Sequence, residues 1–197
     1  MSRPEQSSAH EALKQATWPY HKDLDQLQIL KKLMSPDLRL EDYRLVSAKM
    51  TNWYRHVEDT IFKAVQNCAP ADIEHRYKLT ALKADLAAVD INYEQLGDYP
   101  AINISLDNGF EALGALYVME GGTQGGKIIS KNIAKCLPDL PQPRFFSVYG
   151  EQSDQRWQSF LDHLNNTAMS AKDLESLVTG ARKTYDSLIL WFKSDHY

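Results

Sequence analysis

Of six histidines in the chain, His21 has the most useful company, because Asp25 follows it one helical turn later. A carboxylate at that spacing can accept a hydrogen bond from one ring nitrogen, which fixes the tautomer and strengthens the other nitrogen as a metal donor. The same pair is also an ordinary surface contact of a helix, and spacing alone leaves both readings open. His10, His56, His75, His163 and His196 have no comparable support. There is no HExxH run, and Asp72 to His75 falls short of the two Glu-x-x-His motifs that a di-iron bundle requires. No Ser/His/Asp or Cys/His arrangement suggests a nucleophile.

The run "YVMEGGTQGGKII" places Gly121, Gly122, Gly125 and Gly126 within six positions of a helical pattern. Each glycine costs a helix roughly 1 kcal/mol against alanine, so the four cost about 3–4 kcal/mol. A flat partner lying against a backbone without Cβ atoms would offset that cost, as would a kink turning backbone groups toward a cavity. A tight helix crossing or a loop is the alternative. Gly121 and Gly125 share a face, as do Gly122 and Gly126. The spacing is not that of a phosphate loop, and no strand precedes it. Lys14, two turns before His21, and the pair Arg182–Lys183 could rim an apolar pocket and suit a ligand with an apolar body and carboxylates. Ordinary surface charge accounts for them equally.

The elements that must position these residues are helical almost throughout. Ser7 and Ser8 are capping candidates for a first helix, with Glu11 at the capping-box position of Ser8. Leu13, Ala16, Thr17, Tyr20 and Leu24 continue the pattern, and Pro19 predicts a bend or boundary inside it. Long amphipathic helices are predicted over 41–65 and 71–89. Residues 90–109, with Gly97 and Pro100, read as a loop with a short turn. A glycine-bearing helix follows over 110–135, then a loop marked by Pro138, Pro141 and Pro143. Helices over 152–164 and 171–192 complete the chain, with Ser153 and Ser170 as capping candidates. No hairpin, βαβ unit or internal repeat is evident.

The 197 residues suit one all-α domain spanning 1–197, with residues 1–8 expected to be flexible. Hydrophobic residues make up 43% and charged residues 24%, the range of a globular protein. A net charge of -4 without a basic patch argues against nucleic-acid binding. No apolar stretch approaches membrane-spanning length, and the polar start lacks a signal-peptide core, so a cytoplasmic protein is expected. Cys68 and Cys136 match no zinc spacing and read as free thiols.

Three segments carry a resemblance. "LKQATWPYH" (13–21) resembles the proximal segment of heme oxygenases, "GALYVMEGGTQGGKII" (114–129) their distal helix, and "GARKTYDSL" (180–188) their last helix. The order matches over nearly the whole chain, and the variant is similar to the bacterial enzymes, including those associated with bacteriophytochromes. The resemblance implies an all-helical fold with heme between proximal and distal helices. It implies His21 as the axial iron ligand and Asp25 as its hydrogen-bond partner. Gly121 and Gly125 would let the distal helix cross the heme, and Tyr117, Lys14 and Arg182 would meet the propionates, with Lys183 as the neighbouring substitute. Gly122 stands where relatives carry aspartate or serine, which removes a side chain that holds distal water. Gln124 replaces a usual leucine and restores some polarity. The implied activity is O2- and electron-dependent cleavage of heme to biliverdin, CO and ferrous iron. Implied partners are a ferredoxin or flavoprotein reductase as electron donor and a bilin-accepting photoreceptor. A heme carrier or sensor on the same fold is the alternative, and a helical interaction protein without heme a further one.

Overall fold

Ser8 starts the first helix as its sequence position requires. Its hydroxyl accepts a hydrogen bond from the Glu11 N–H at 3.2 Å, and the helix α1 runs Ala9–Asp25. The Glu11 side chain instead accepts from Gln15. In the computed structural model residues 8–97 and 102–196 are described. The expected flexibility of residues 1–8 therefore concerns positions outside this range except Ser8, and Ser7 and Pro100 also lie outside it. The described residues form an all-α, single-domain fold without a strand: α2 is Gln28–Lys32, α3 Leu40–Val65, α4 Leu79–Ala88, α5 Gly109–Cys136, α6 Ser153–Asn166 and α7 Ala171–Lys193. None of these helices is long and apolar enough to cross a membrane.

Pro19 does not end α1, which continues to Asp25. It removes one backbone donor, and the lost bond is tolerated because the apolar face of α1 remains packed, with Leu13 fully buried. The short α2 had no strong periodic signal. The predicted helix over 71–89 is only half right: α4 begins at Leu79, and a 3-10 turn at Ile73–His75 precedes it. The reason is electrostatic. The guanidinium of Arg76 is fully buried, held by both Asp72 oxygens at 2.8 and 2.9 Å and by Glu120. The ammonium of Lys78, equally buried, is held by Glu120, the Arg76 carbonyl and Tyr149. These bonds, together with the Glu58 carboxylate accepting from the Lys78 and Leu79 N–H groups, hold the chain off the helical path until residue 79.

The central helix is α5. Asn108 caps it by accepting from the Phe110 and Glu111 N–H groups, and the helix passes through all four clustered glycines without a break. It packs most extensively on α7, with α3 and α6 on its other sides and α1 laid across α7 and α6. The crossing of α5 and α7 uses two glycines outside the cluster. A Cβ on Gly114 would overlap the Leu177 carbonyl, and one on Gly180 would overlap the Glu111 carbonyl. Backbone therefore touches backbone at this crossing. Ser170 caps α7 through a reciprocal box with Asp173, whereas Ser153 is the first residue of α6 rather than its cap. Cys68 and Cys136 are free.

Candidate functional site

The stripe of α1 formed by His10, Lys14, Thr17, His21 and Leu24 recurs at helical spacing and faces a cavity of about 670 Å³. Across that cavity α5 presents Tyr117, Val118, Gly121, Gly122, Gln124 and Gly125. Aromatic and aliphatic side chains from α3, α7 and the 145–146 segment close it, among them Tyr54, Phe145, Tyr185 and Leu188. The result is an apolar space with a few polar groups, the usual character of a small-molecule site.

His21 and Asp25 are paired in the structure, with Nδ1 2.9 Å from Oδ2. A ring nitrogen donating to that carboxylate leaves Nε2 with its lone pair. The His21 ring is also stacked on Trp18, centroids 5.7 Å apart with planes at 21°, and lies 6.4 Å from the ring of Tyr185. One carboxylate and one indole thus restrain an imidazole at the cavity wall. Among the described residues no group of three or more His, Cys, Asp or Glu could hold a metal ion. A metal at His21 would need its remaining donors from a ligand.

The four clustered glycines divide into two roles. A Cβ on Gly126 would overlap the Phe146 carbonyl, so this residue packs against protein. A Cβ on Gly122 would meet nothing, one on Gly121 only the edge of Trp157 at 3.8 Å, and one on Gly125 only the tip of Ile129 at 4.0 Å. A helix crossing therefore does not explain these three. They leave a strip of bare backbone along one wall of the cavity, whereas Gly126, one turn after Gly122, is covered by the Phe146 segment. Gln124 lines the same wall, its Nε2 3.4 Å from Thr123 Oγ1.

Tyr117 is buried at one end of the cavity, its phenol pushed upward by burial and by the charge of Glu11. Lys14 lines that end. Arg182 does not line it: the side chain lies beside α1, its Nε 3.4 Å from the Ala16 carbonyl. Lys183 is not brought to the cavity either. Its ammonium is bound by Glu111 at 2.7 Å and by the Ser105 carbonyl at 3.0 Å. Those partners, one in the first turn of α5 and one in the loop before it, turn it away from the cavity and make it a poor substitute for Arg182. Residues that the sequence did not single out complete the site: His10, Trp157, Tyr185 and Trp18. His10 and Trp18 were legible in principle, sharing a helix face with Lys14 and His21. Trp157 and Tyr185 come from remote helices, and no local pattern marks them.

A family model described as heme oxygenase matches residues 7–194. No curated protein matches the chain in sequence. Among solved structures, the chain is similar to a heme oxygenase from Leptospira interrogans at a TM-score of 0.77 and 18% identity, covering 94% of this chain and 98% of that one. It is similar to a Neisseria meningitidis heme oxygenase, solved with NO and CO bound, at 0.76 and 18%, covering 95% and 92%. A heme oxygenase-1 from the cyanobacterium Synechocystis in complex with heme gives 0.74 and 14%, covering 94% and 90%. At these identities the likeness is one of fold.

Proposed function

The chain belongs to the heme oxygenase family, and on that premise we propose that it binds heme in this cavity and cleaves it, with O2 and electrons, to biliverdin, CO and ferrous iron. The observation that carries the reading is the pairing of one restrained imidazole with a strip of glycine backbone on the facing helix. The cavity volume, its apolar walls and the absence of Cβ atoms at Gly121, Gly122 and Gly125 fit a flat tetrapyrrole. The tetrapyrrole's own nitrogens supply the donors that the protein around His21 lacks.

His21 would ligate the iron through Nε2, and Asp25 would hold the ring and raise its donor strength. Bound heme supplies the iron that takes up O2 and the ring carbon that is oxidised. The protein's own contribution is orientation and exclusion of competing reactions. Gly121, Gly122 and Gly125 would let the backbone of α5 lie close to the bound ring, and their carbonyls, each with a second lone pair, can accept a hydrogen bond from water there. Gln124 is a polar side chain lining the same wall and would take the place of the one missing at Gly122. Lys14 and Tyr117 would meet the carboxylate edge, and Arg182 would reach it only on leaving its contact with Ala16. Lys183 is withdrawn from this role.

The reading extends to a cytoplasmic enzyme of bacterial type, supplied with electrons by a ferredoxin or flavoprotein reductase and able to pass its bilin to a photoreceptor. The deciding experiment is a hemin titration followed by a single turnover with reductant in air. Saturable one-to-one binding, then loss of the Soret band with chromatographically identified biliverdin, is expected. A heme spectrum that persists without bilin would make the protein a carrier, and no saturable binding would remove heme from the reading.

A further inference from the structure

One end of the cavity carries an imidazole that the heme reading leaves unused. His10 precedes His21 by three helical turns, so both rings line the same space, about 16 Å apart along the axis at 1.5 Å per residue. Lys14 lies between them and makes no ion pair among the described residues. The His10 ring is held in an aromatic slot, 6.0 Å from the ring of Tyr117 and edge-on to Trp157 at 6.2 Å. Its backbone N–H donates to Asn165 Oδ1 at 3.1 Å, tying the start of α1 to α6. The ring is therefore packed between α5 and α6, and the backbone that carries it is tied to α6.

Resting on the heme reading, we propose that His10 and Lys14 together form the carboxylate-binding end of the cavity, and that His10 takes up a proton when a heme carboxylate binds beside it. Heme retention then strengthens as the medium acidifies. The groups facing His10 are Glu11 and Lys14 on its own helix, Tyr117 from α5, and Trp157 and Asn165 from α6. Burial first, and then the Lys14 ammonium, push its pKa below the ordinary value, with Glu11 opposing. In the empty protein these surroundings favour the neutral ring. A carboxylate placed against His10 and Lys14 offsets both effects and favours the charged ring.

The two linkages have opposite signs. In the empty protein the folded pKa is depressed, so the unfolded chain binds more protons below about pH 6.5, and His10 subtracts stability as pH falls. In the complex the pKa lies above that of the empty site, so binding takes up a proton and affinity rises as pH falls between the two values. Hemin affinity also depends on pH through groups other than His10. The proposal is therefore read from the difference between two proteins.

Hemin is titrated into the full-length wild type and His10→Gln at pH 7.5 and pH 5.5. The ratio of wild-type to variant affinity should rise several-fold at the lower pH, toward the roughly tenfold that a one-unit pKa change amounts to. Equal pH dependence in the two proteins overturns the role of His10. Absence of saturable hemin binding in the wild type overturns the heme reading and this proposal with it, a distinct result. If His10→Gln does not fold, histidine NMR of the wild type with zinc protoporphyrin decides. The His10 titration midpoint should move upward on binding, and a midpoint unmoved or lowered overturns the proposal.

Discussion

At the scale of single residues, the chemistry of the proposed site rests on His21, and its structural isolation makes it testable. Its ion pair with Asp25 is about half exposed on each side, so the pair adds little to folding. Replacing His21 by alanine should change the unfolding midpoint of the empty protein by no more than about 0.5 kcal/mol equivalent. The same change should perturb the hemin spectrum and abolish biliverdin formation, with imidazole restoring part of the spectrum. A wild-type spectrum and turnover in H21A would remove His21 from the axial position. Gly125 offers the complementary case. An alanine methyl there meets only Ile129 at 4.0 Å, so G125A should stabilise the empty protein by about 0.5–1 kcal/mol through helix propensity. With heme against the strip the same methyl intrudes, at roughly 1–3 kcal/mol. The expected outcome is a higher melting temperature without hemin and a lower biliverdin yield per O2 with it. An intact yield would place Gly125 away from the ligand.

At the scale of elements, glycines of identical composition do opposite work on α5. Gly121, Gly122 and Gly125 border open space, whereas Gly114 meets α7 backbone and Gly126 meets the Phe146 carbonyl. The α5–α7 crossing depends on Gly114 and Gly180, each of which excludes a Cβ by backbone contact that no rotamer change can relieve. G114A or G180A should therefore lower stability by at least about 1–3 kcal/mol, opposite in sign to G125A. Denaturant unfolding of the three variants without hemin compares them directly. Equal effects would mean that the crossing is looser than the structure shows.

At the scale of the whole molecule, a buried ionic centre joins α5, α6 and the segments that precede α4 and α6. Glu120 faces two fully buried cations, Arg76 and Lys78, and accepts the Tyr149 hydroxyl at 3.0 and 3.1 Å. Arg156 joins through Asp72 at 2.9 Å. Burial opposes the charge of Arg76, but the Asp72 hydrogen bond and Glu120 overcome it and raise its pKa. The centre lies immediately before Gly121 in sequence, so it anchors α5 at the start of the segment with least packing. Glu120→Gln keeps the shape and removes the charge that balances both cations. Breaking a buried pair in this way costs on the order of 3–5 kcal/mol. The midpoint of urea unfolding should fall accordingly, and an unchanged midpoint would show that the cations find other partners.

The helical class, the bounds of α3, α5 and α7 to within a residue or two, and the shared face of Lys14 and His21 were legible in the sequence, because each follows from local periodicity or capping. The pairing of His21 with Asp25 was legible as a possibility for the same reason. Which glycines border the cavity was implied for Gly121 and Gly125 by the resemblance but not by local physics, since Gly114, Gly125 and Gly126 are chemically alike and differ only in what stands opposite them. The separation of Arg182 from the cavity, and the capture of Lys183 by Glu111, likewise depend on partners 166 and 72 positions away. The shortened α4 belongs with them: its local pattern was helical from residue 71, but charges on Arg76 and Lys78 could be buried only against Glu120, more than 40 residues later. A helical period determines which side chains share a face. Only the packing of remote helices decides whether that face meets protein, solvent or a cavity, because burial and charge pairing are settled between elements rather than along them.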